Sequence, residues 1–203
     1  AYDMITSDWS SDVCSSDLMK IAVINKKGGV GKTPFAFSIA KDLGYFLQSN
    51  DKSCIENIYP KKAKILDKVQ SIDDCVYDFG GFVAGGVLDI LKGCKAIIVP
   101  CTPSYNAVLR TVETVEEISH VNPGIIIIAT NYKDDKELEF LNSNLKNRFQ
   151  NIPMFYFKNS KIVNNAINTG LSFTELYNEN ALSQRSYQLF FDEYQSLLTK
   201  LKG

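Results

Sequence analysis

The chain has 203 residues, with 22 Lys+Arg against 23 Asp+Glu, 45% hydrophobic and 22% charged residues. These proportions suit an ordinary globular protein and exclude a disordered, collagen-like or disulfide-built one. A chain of about this length can build one large core, and no run approaches the ~20 apolar residues of a membrane-spanning helix, so a cytoplasmic protein with no transmembrane segment is expected.

Residues 1–18 are rich in Ser and Asp, lack Lys and Arg, and contain no apolar run of signal-peptide length. The stretch Asp8-Trp9-Ser10-Ser11-Asp12-Val13-Cys14-Ser15-Ser16-Asp17-Leu18 resembles the translation of a short-read sequencing adapter. Such a composition cannot bury enough surface to offset the entropy of ordering. The expectation is a non-native or disordered leader at 1–18 and a single domain at 19–203, starting from Met19. Without Asp3, Asp8, Asp12 and Asp17 the count becomes 22 basic against 19 acidic residues. That balance permits contact with nucleic acid but does not predict it.

From Met19 onward, short apolar runs alternate with patterns that repeat at three or four residues. Residues 21–24 predict a strand, a Gly-rich loop follows, and 35–43 predict a helix. Residues 45–47 predict a second strand, 49–62 a polar loop, and 75–77 a third strand. A helix over 87–91 and a strand over 96–99 come next, then a helix through Val108, Val112, Val115 and Ile118. Residues 125–129 predict a strand, 131–136 a loop, Leu138, Leu141, Leu145 and Phe149 a helix, and 153–157 a last strand. The alternation indicates an α/β fold, a doubly wound and mainly parallel sheet with helices on both faces. The final helix, 184–202, aligns Phe190, Tyr194, Leu197, Leu198 and Leu201 on one face and ends with Lys200 and Lys202. Packing against the sheet explains this stripe, and so does a basic amphipathic membrane anchor. Cys54, Cys75, Cys94 and Cys101 form no C-x-x-C pair, and His120 has no ligand-spaced neighbour, so neither a zinc nor a cluster site is expected. Cys75 and Cys94 read as small core residues.

The strongest chemical signal is Asn25-Lys26-Lys27-Gly28-Gly29-Val30-Gly31-Lys32-Thr33, directly after the first strand and before a helix. Glycines there let successive N–H groups curl around an anion, and the helix N-terminus adds partial positive charge. This is the context of a phosphate-binding loop, with Lys32 on the β- and γ-phosphates of ATP and the Thr33 hydroxyl on Mg²⁺. The apolar Cys75-Val76-Tyr77-Asp78 ends in a carboxylate that reads either as a second Mg²⁺-holding group or as a turn cap.

The run from Lys27 to Thr33 resembles the deviant Walker A motif of the ParA/MinD family of partitioning ATPases, with the signature lysine at Lys27. The resemblance implies a P-loop NTPase fold and a role for Lys27 across a dimer interface, at the phosphates held by the other subunit. It places Walker B at Asp78 and a γ-phosphate-sensing loop at Phe79-Gly80-Gly81-Phe82 with Gly85 and Gly86. Ile97-Ile98-Val99-Pro100 with Pro103 resembles the strand before the family's long helix. Asn131 falls where the family reads adenine, and reads equally as a strand-end turn residue. Ala166-Ile167-Asn168-Thr169-Gly170, with Lys158 and Lys161 before it, resembles the region bordering the base and contributing basic DNA-binding positions. Those lysines also fit a solvated face.

The chain departs from the family in three places. The water-positioning aspartate is matched only by Asp51 in Gln48-Ser49-Asn50-Asp51-Lys52, which also reads as an idle loop carboxylate. Pro34 replaces the second hydroxyl residue, a substitution the first helical turn tolerates. The chain is also short for the family, so no N-terminal DNA-binding extension is expected. The implied function is a Mg²⁺-dependent ATPase that forms an ATP-dependent homodimer, binds DNA non-specifically through positions such as Lys158, Lys161, Arg148 and Arg185, associates with the nucleoid, and is reset by a ParB-like activator in plasmid or chromosome partitioning. A MinD-like membrane-associated switch and a dethiobiotin-synthetase-like small-molecule enzyme are the alternatives.

Overall fold

The computed structural model describes residues 19–80 and 86–203. The leader at 1–18 and Gly81, Phe82 and Gly85 of the expected phosphate-sensing loop lie outside the described residues.

Strands β1 (Lys20–Asn25), β2 (Phe46–Ser49), β3 (Ala63–Ile65), β4 (Cys75–Gly80), β5 (Ala96–Cys101), β6 (Ile125–Tyr132) and β7 (Met154–Lys158) form one sheet in the order β3-β2-β4-β1-β5-β6-β7. Every neighbouring pair is parallel. The apolar runs fit this arrangement, because a strand covered on both faces needs apolar residues on both. Ile21 and Val23 face one layer, while Ala22 and Ile24 face the other.

The first layer contains α1 (Lys32–Leu43), α6 (Lys161–Thr169), α7 (Phe173–Asn178) and α8 (Ala181–Lys202), with Phe35, Ile39, Ile162, Phe173 and Leu197 in its core. The opposite layer contains α3 (Val87–Lys92), α4 (Tyr105–Ser119) and α5 (Asp135–Leu141), contributing Leu91, Val115, Ile118 and Leu141. A short α2 (Ile55–Ile58) lies in the polar stretch expected to be a loop. The helix expected through Leu138 and Phe149 is α5 followed by a π-turn over Asn142–Lys146. There the Ser143 hydroxyl and the Asn144 amide donate back to the Glu139 and Phe140 carbonyls, the kind of side-chain competition that loosens an α-helical end.

The stripe of Phe190, Tyr194, Leu197, Leu198 and Leu201 on α8 is buried in the first core layer. Each large apolar side chain withdrawn from water contributes about 1.5–3 kcal/mol. Cys75 and Cys94 are buried as well, and His120 is exposed just past α4. No described helix is long and apolar enough to cross a membrane.

Strands β1 and β5 are neighbours, yet the helices that follow them, α1 and α4, cover opposite faces. A crevice therefore opens beyond their carboxyl ends, the place where doubly wound sheets bind ligands.

Candidate functional site

The loop from Lys26 to Gly31 fills that crevice. Gly29 and Gly31 have φ of 76° and 93°, values costly for any residue with a side chain. They bend the chain from β1 into α1 so that a cleft of about 610 Å³ opens against residues 28–35. The expected α1 thus starts three residues earlier than the apolar periodicity suggests, at Lys32.

Lys32 is only 8% exposed, and its ammonium donates to the Lys27 carbonyl at 3.0 Å. Burial lowers its pKa from the ordinary lysine value; Asp78 and Asp51 nearby act in the opposite sense, and Lys27 adds to the lowering. An anion in the cleft would stabilise this ammonium further. At the next residue, the Thr33 hydroxyl donates to Asp78 Oδ2 at 2.7 Å. Asp78 lies within the buried part of β4, is 1% exposed, and has its pKa raised to about 6 by burial, against the effects of Thr33 and Lys32 and with a contribution from Asp51. Its other oxygen, Oδ1, is buried with no hydrogen-bond partner. A buried carboxylate oxygen without a donor is costly, and a cation beside it would offset that cost. The Thr33–Asp78 pair therefore fits Mg²⁺, a hard cation that takes oxygen ligands and usually few from the protein.

Asp51 also lines the cleft, two residues past β2. Two contacts hold it there. The Asn50 side-chain carbonyl accepts from the Gly80 N–H at 2.8 Å, and the Ser49 hydroxyl accepts from the Asp51 N–H at 3.1 Å. The ends of β2 and β4 are thereby tied together with the carboxylate between them.

Asn131 lines the far side of the cleft from a left-handed conformation, φ 62°, where β6 makes an irregular register step against β7. Asn tolerates this region better than most residues. Its side-chain oxygen accepts from Asn159. Lys158 and Lys161, expected as DNA-facing positions, line this same cleft, whereas Arg148 is half-exposed and lies 2.5 Å from Glu116. The floor is aromatic: Phe35 and Phe157 meet edge-on at 4.7 Å, and Phe190 lies 5.0 Å from Phe157.

The structure thus gathers Gly28, Gly29, Val30, Gly31, Lys32, Thr33, Asp51 and Asn131 around one cleft, with Asp78 beneath Thr33. Lys27 lies at the loop's shoulder, half-buried and outside that lining. Thr102, Thr130, Asn159, Ser160 and Asn164 line the cleft without having been expected there. The one legible signal among them was Ser160, an N-cap residue ahead of α6.

No model of a known protein family matches the sequence, and no curated protein matches it. Solved structures do match. Cyanothece McdA in its ATP complex is similar with a TM-score of 0.62 at 13% identity, over 91% of this chain and 96% of that one. The septum site-determining protein MinD from Pyrococcus horikoshii, complexed with Mg-ADP, gives 0.63 at 10% identity, over 91% and 94%. A plasmid partition protein from Borrelia burgdorferi gives 0.53 at 15% identity, over 75% and 96%. The α/β fold of these structures is the fold of this chain.

Proposed function

We propose that this chain is a Mg²⁺-dependent ATPase of the ParA/MinD type, a cytoplasmic switch whose ATP state is a homodimer that binds DNA non-specifically at the nucleoid. The observation that carries the reading is the joining of Lys32, Thr33 and Asp78 at one end of a cleft, with one Asp78 oxygen buried and without a hydrogen-bond donor. The nucleotides named with McdA and MinD, on the same fold, support ATP as the ligand.

In this reading Lys32 exchanges the Lys27 carbonyl for phosphate oxygens, and the loop N–H groups receive the remaining charge. Thr33 and Asp78 would hold Mg²⁺, which would neutralise charge on the transferred phosphoryl group. Asp51 orients the attacking water, and Asn131 contacts the base. Lys27 belongs to the deviant Walker A motif and contributes its charge to the partner's phosphates, the service an arginine finger gives elsewhere. Hydrolysis is slow until a ParB-like activator engages the dimer. Lys158, Lys161, Arg148 and Arg185 are the basic positions to replace when DNA contacts are mapped. The buried stripe of α8 favours this reading over a membrane switch, because those side chains already have a core to fill.

The deciding experiment measures binding of the protein to random-sequence duplex DNA at one fixed salt concentration, with ATP and Mg²⁺ against ADP and Mg²⁺. Binding in ATP alone, weakening steeply with added salt, is expected. Absence of binding in both states sinks the DNA switch. Lys27→Ala is expected to retain nucleotide affinity within a few-fold and to lose ATP-dependent dimerisation in sedimentation velocity. Loss of nucleotide binding with dimerisation preserved would sink the trans role of Lys27.

A further inference from the structure

The phosphate loop is held from behind by one face of α4. Asn25, the last residue of β1, is fully buried. Its amide nitrogen donates to the Pro100 carbonyl and to the Thr111 hydroxyl, both at 2.7 Å, and its oxygen accepts the Lys27 N–H at 2.8 Å. The neighbours fix this orientation of the amide, since a proline carbonyl can only accept and a backbone N–H can only donate. One turn along α4, the Thr114 hydroxyl accepts the Lys26 N–H at 3.3 Å. A further turn along, a Glu117 carboxylate oxygen lies 2.6 Å from the Lys26 ammonium. Residues 111, 114 and 117 recur at the three-residue spacing that puts side chains on one helix face.

We infer that Asn25 and Thr111 are positioning residues that aim Lys27, with Glu117 bracing the preceding residue. This rests on the trans-lysine reading above and extends it. Asn25 fixes the Lys27 N–H, the Lys27 carbonyl receives Lys32, and the Lys26 side chain is drawn toward α4. Of the two adjacent lysines, Lys26 is thus committed to α4 and Lys27 is left at the shoulder of the loop. The amide bond network sets the direction in which Lys27 leaves the backbone. A lysine that must reach another subunit depends on that direction far more than the loop's own grip on phosphate does.

The test compares Thr111→Val, which keeps the volume and removes the hydroxyl, with Thr111→Ser, which restores it. Glu117→Gln probes the same support from a half-exposed position where folding is not at risk. Lys27→Ala runs in parallel. ATP affinity is read with a fluorescent ATP analogue, dimerisation by sedimentation velocity, and folding by circular dichroism. Thr111→Val is expected to weaken ATP-dependent dimerisation about fivefold, the equivalent of one hydrogen bond. ATP affinity should stay within about twofold, Thr111→Ser should recover most of the loss, and Glu117→Gln should fall between. If Lys27→Ala abolishes dimerisation while Thr111→Val and Glu117→Gln dimerise as wild type, the inference fails alone. Equal losses of ATP affinity and dimerisation also overturn it, because they indicate general damage to the loop. If Lys27→Ala itself dimerises normally, the trans-lysine reading fails and takes the inference with it.

Discussion

Asp51 and Gly80 share a space that neither could occupy if Gly80 had a side chain. A Cβ built on Gly80 would lie 2.5 Å from Asp51 Oδ2 and 2.6 Å from its carboxyl carbon. Gly80→Ala must therefore push Asp51 away or move the end of β4. The expected cost is about 1–3 kcal/mol of stability, as in other overpacked sites, read from the urea midpoint. On the proposed reading, in which Asp51 orients the attacking water, nucleotide affinity should change little while hydrolysis falls at least tenfold, because Gly80 lies outside the loop from Lys26 to Gly31. Hydrolysis unchanged in Gly80→Ala would remove Asp51 from the catalytic set. At this scale the sequence was readable where the chemistry is contiguous: Lys27 through Thr33 form one run, and Asp78 ends an apolar strand. It gave no separate role to Asn25, Asn50, Thr102 or Asn159. Each is an ordinary polar residue at or just past a different strand's carboxyl end, and only the sheet order brings those ends together.

Between elements, the joint of α1 with α7 and α8 centres on a half-buried carboxylate. Asp42 accepts from the Thr174 hydroxyl at 2.8 Å and the Tyr194 hydroxyl at 2.9 Å. Burial raises its pKa above the ordinary 3.8, the Ser172, Thr174 and Tyr194 hydrogen bonds oppose that rise, and the nearby Glu175 adds to it. Glu175 goes the other way: burial acts to raise it, but Lys41, 2.5 Å away, and the Ser172 contacts bring it below its ordinary value. For Asp42 the folded state binds the proton more tightly than the unfolded state. Its stabilising effect is therefore complete at acid pH and is lost as pH rises from 3.8 through the raised folded value. Asp42→Asn should remove this component while leaving the opposite contribution of Glu175. The wild-type-minus-variant difference in urea midpoint should fall with rising pH across that window, and a flat difference would refute the assignment. The elements missed in sequence are either very short or rich in polar residues. β3 has three residues, α2 has four and α7 six, and α6 carries Asn164, Asn165 and Asn168, poor helix formers that hide Ile162 and Ala166 as its buried face. Ser160 before α6 and Gly170 after it were its legible boundary marks.

For the molecule as a whole, the first core layer depends on a ring cluster that also makes the cleft floor. Phe190 lies 5.0 Å from both Phe157 and Phe173 and 6.0 Å from Phe35. Phe190→Ala is expected to cost about 3–5 kcal/mol, whereas Leu189→Ala, at a position 82% exposed, should stay within about 0.5 kcal/mol. Urea denaturation of the pair checks whether α8 is a structural element or a detachable one. The α/β architecture was open to sequence reading because continuous apolar runs and patterns repeating at three or four residues alternate through the chain. The partition of helices between the two faces was not, since an apolar stripe says that a face is covered and not which one. That partition has a consequence for how the protein breathes. Lys32 and Thr33 ride on the helix of one face, while Asn25 and Lys26 are fastened to the helix of the other. A phosphate group gripped by this loop would rivet two hydrophobic layers that otherwise meet only through the sheet. Amide exchange in α1 and α4 should then slow together when nucleotide is added, as two separately opening units become one.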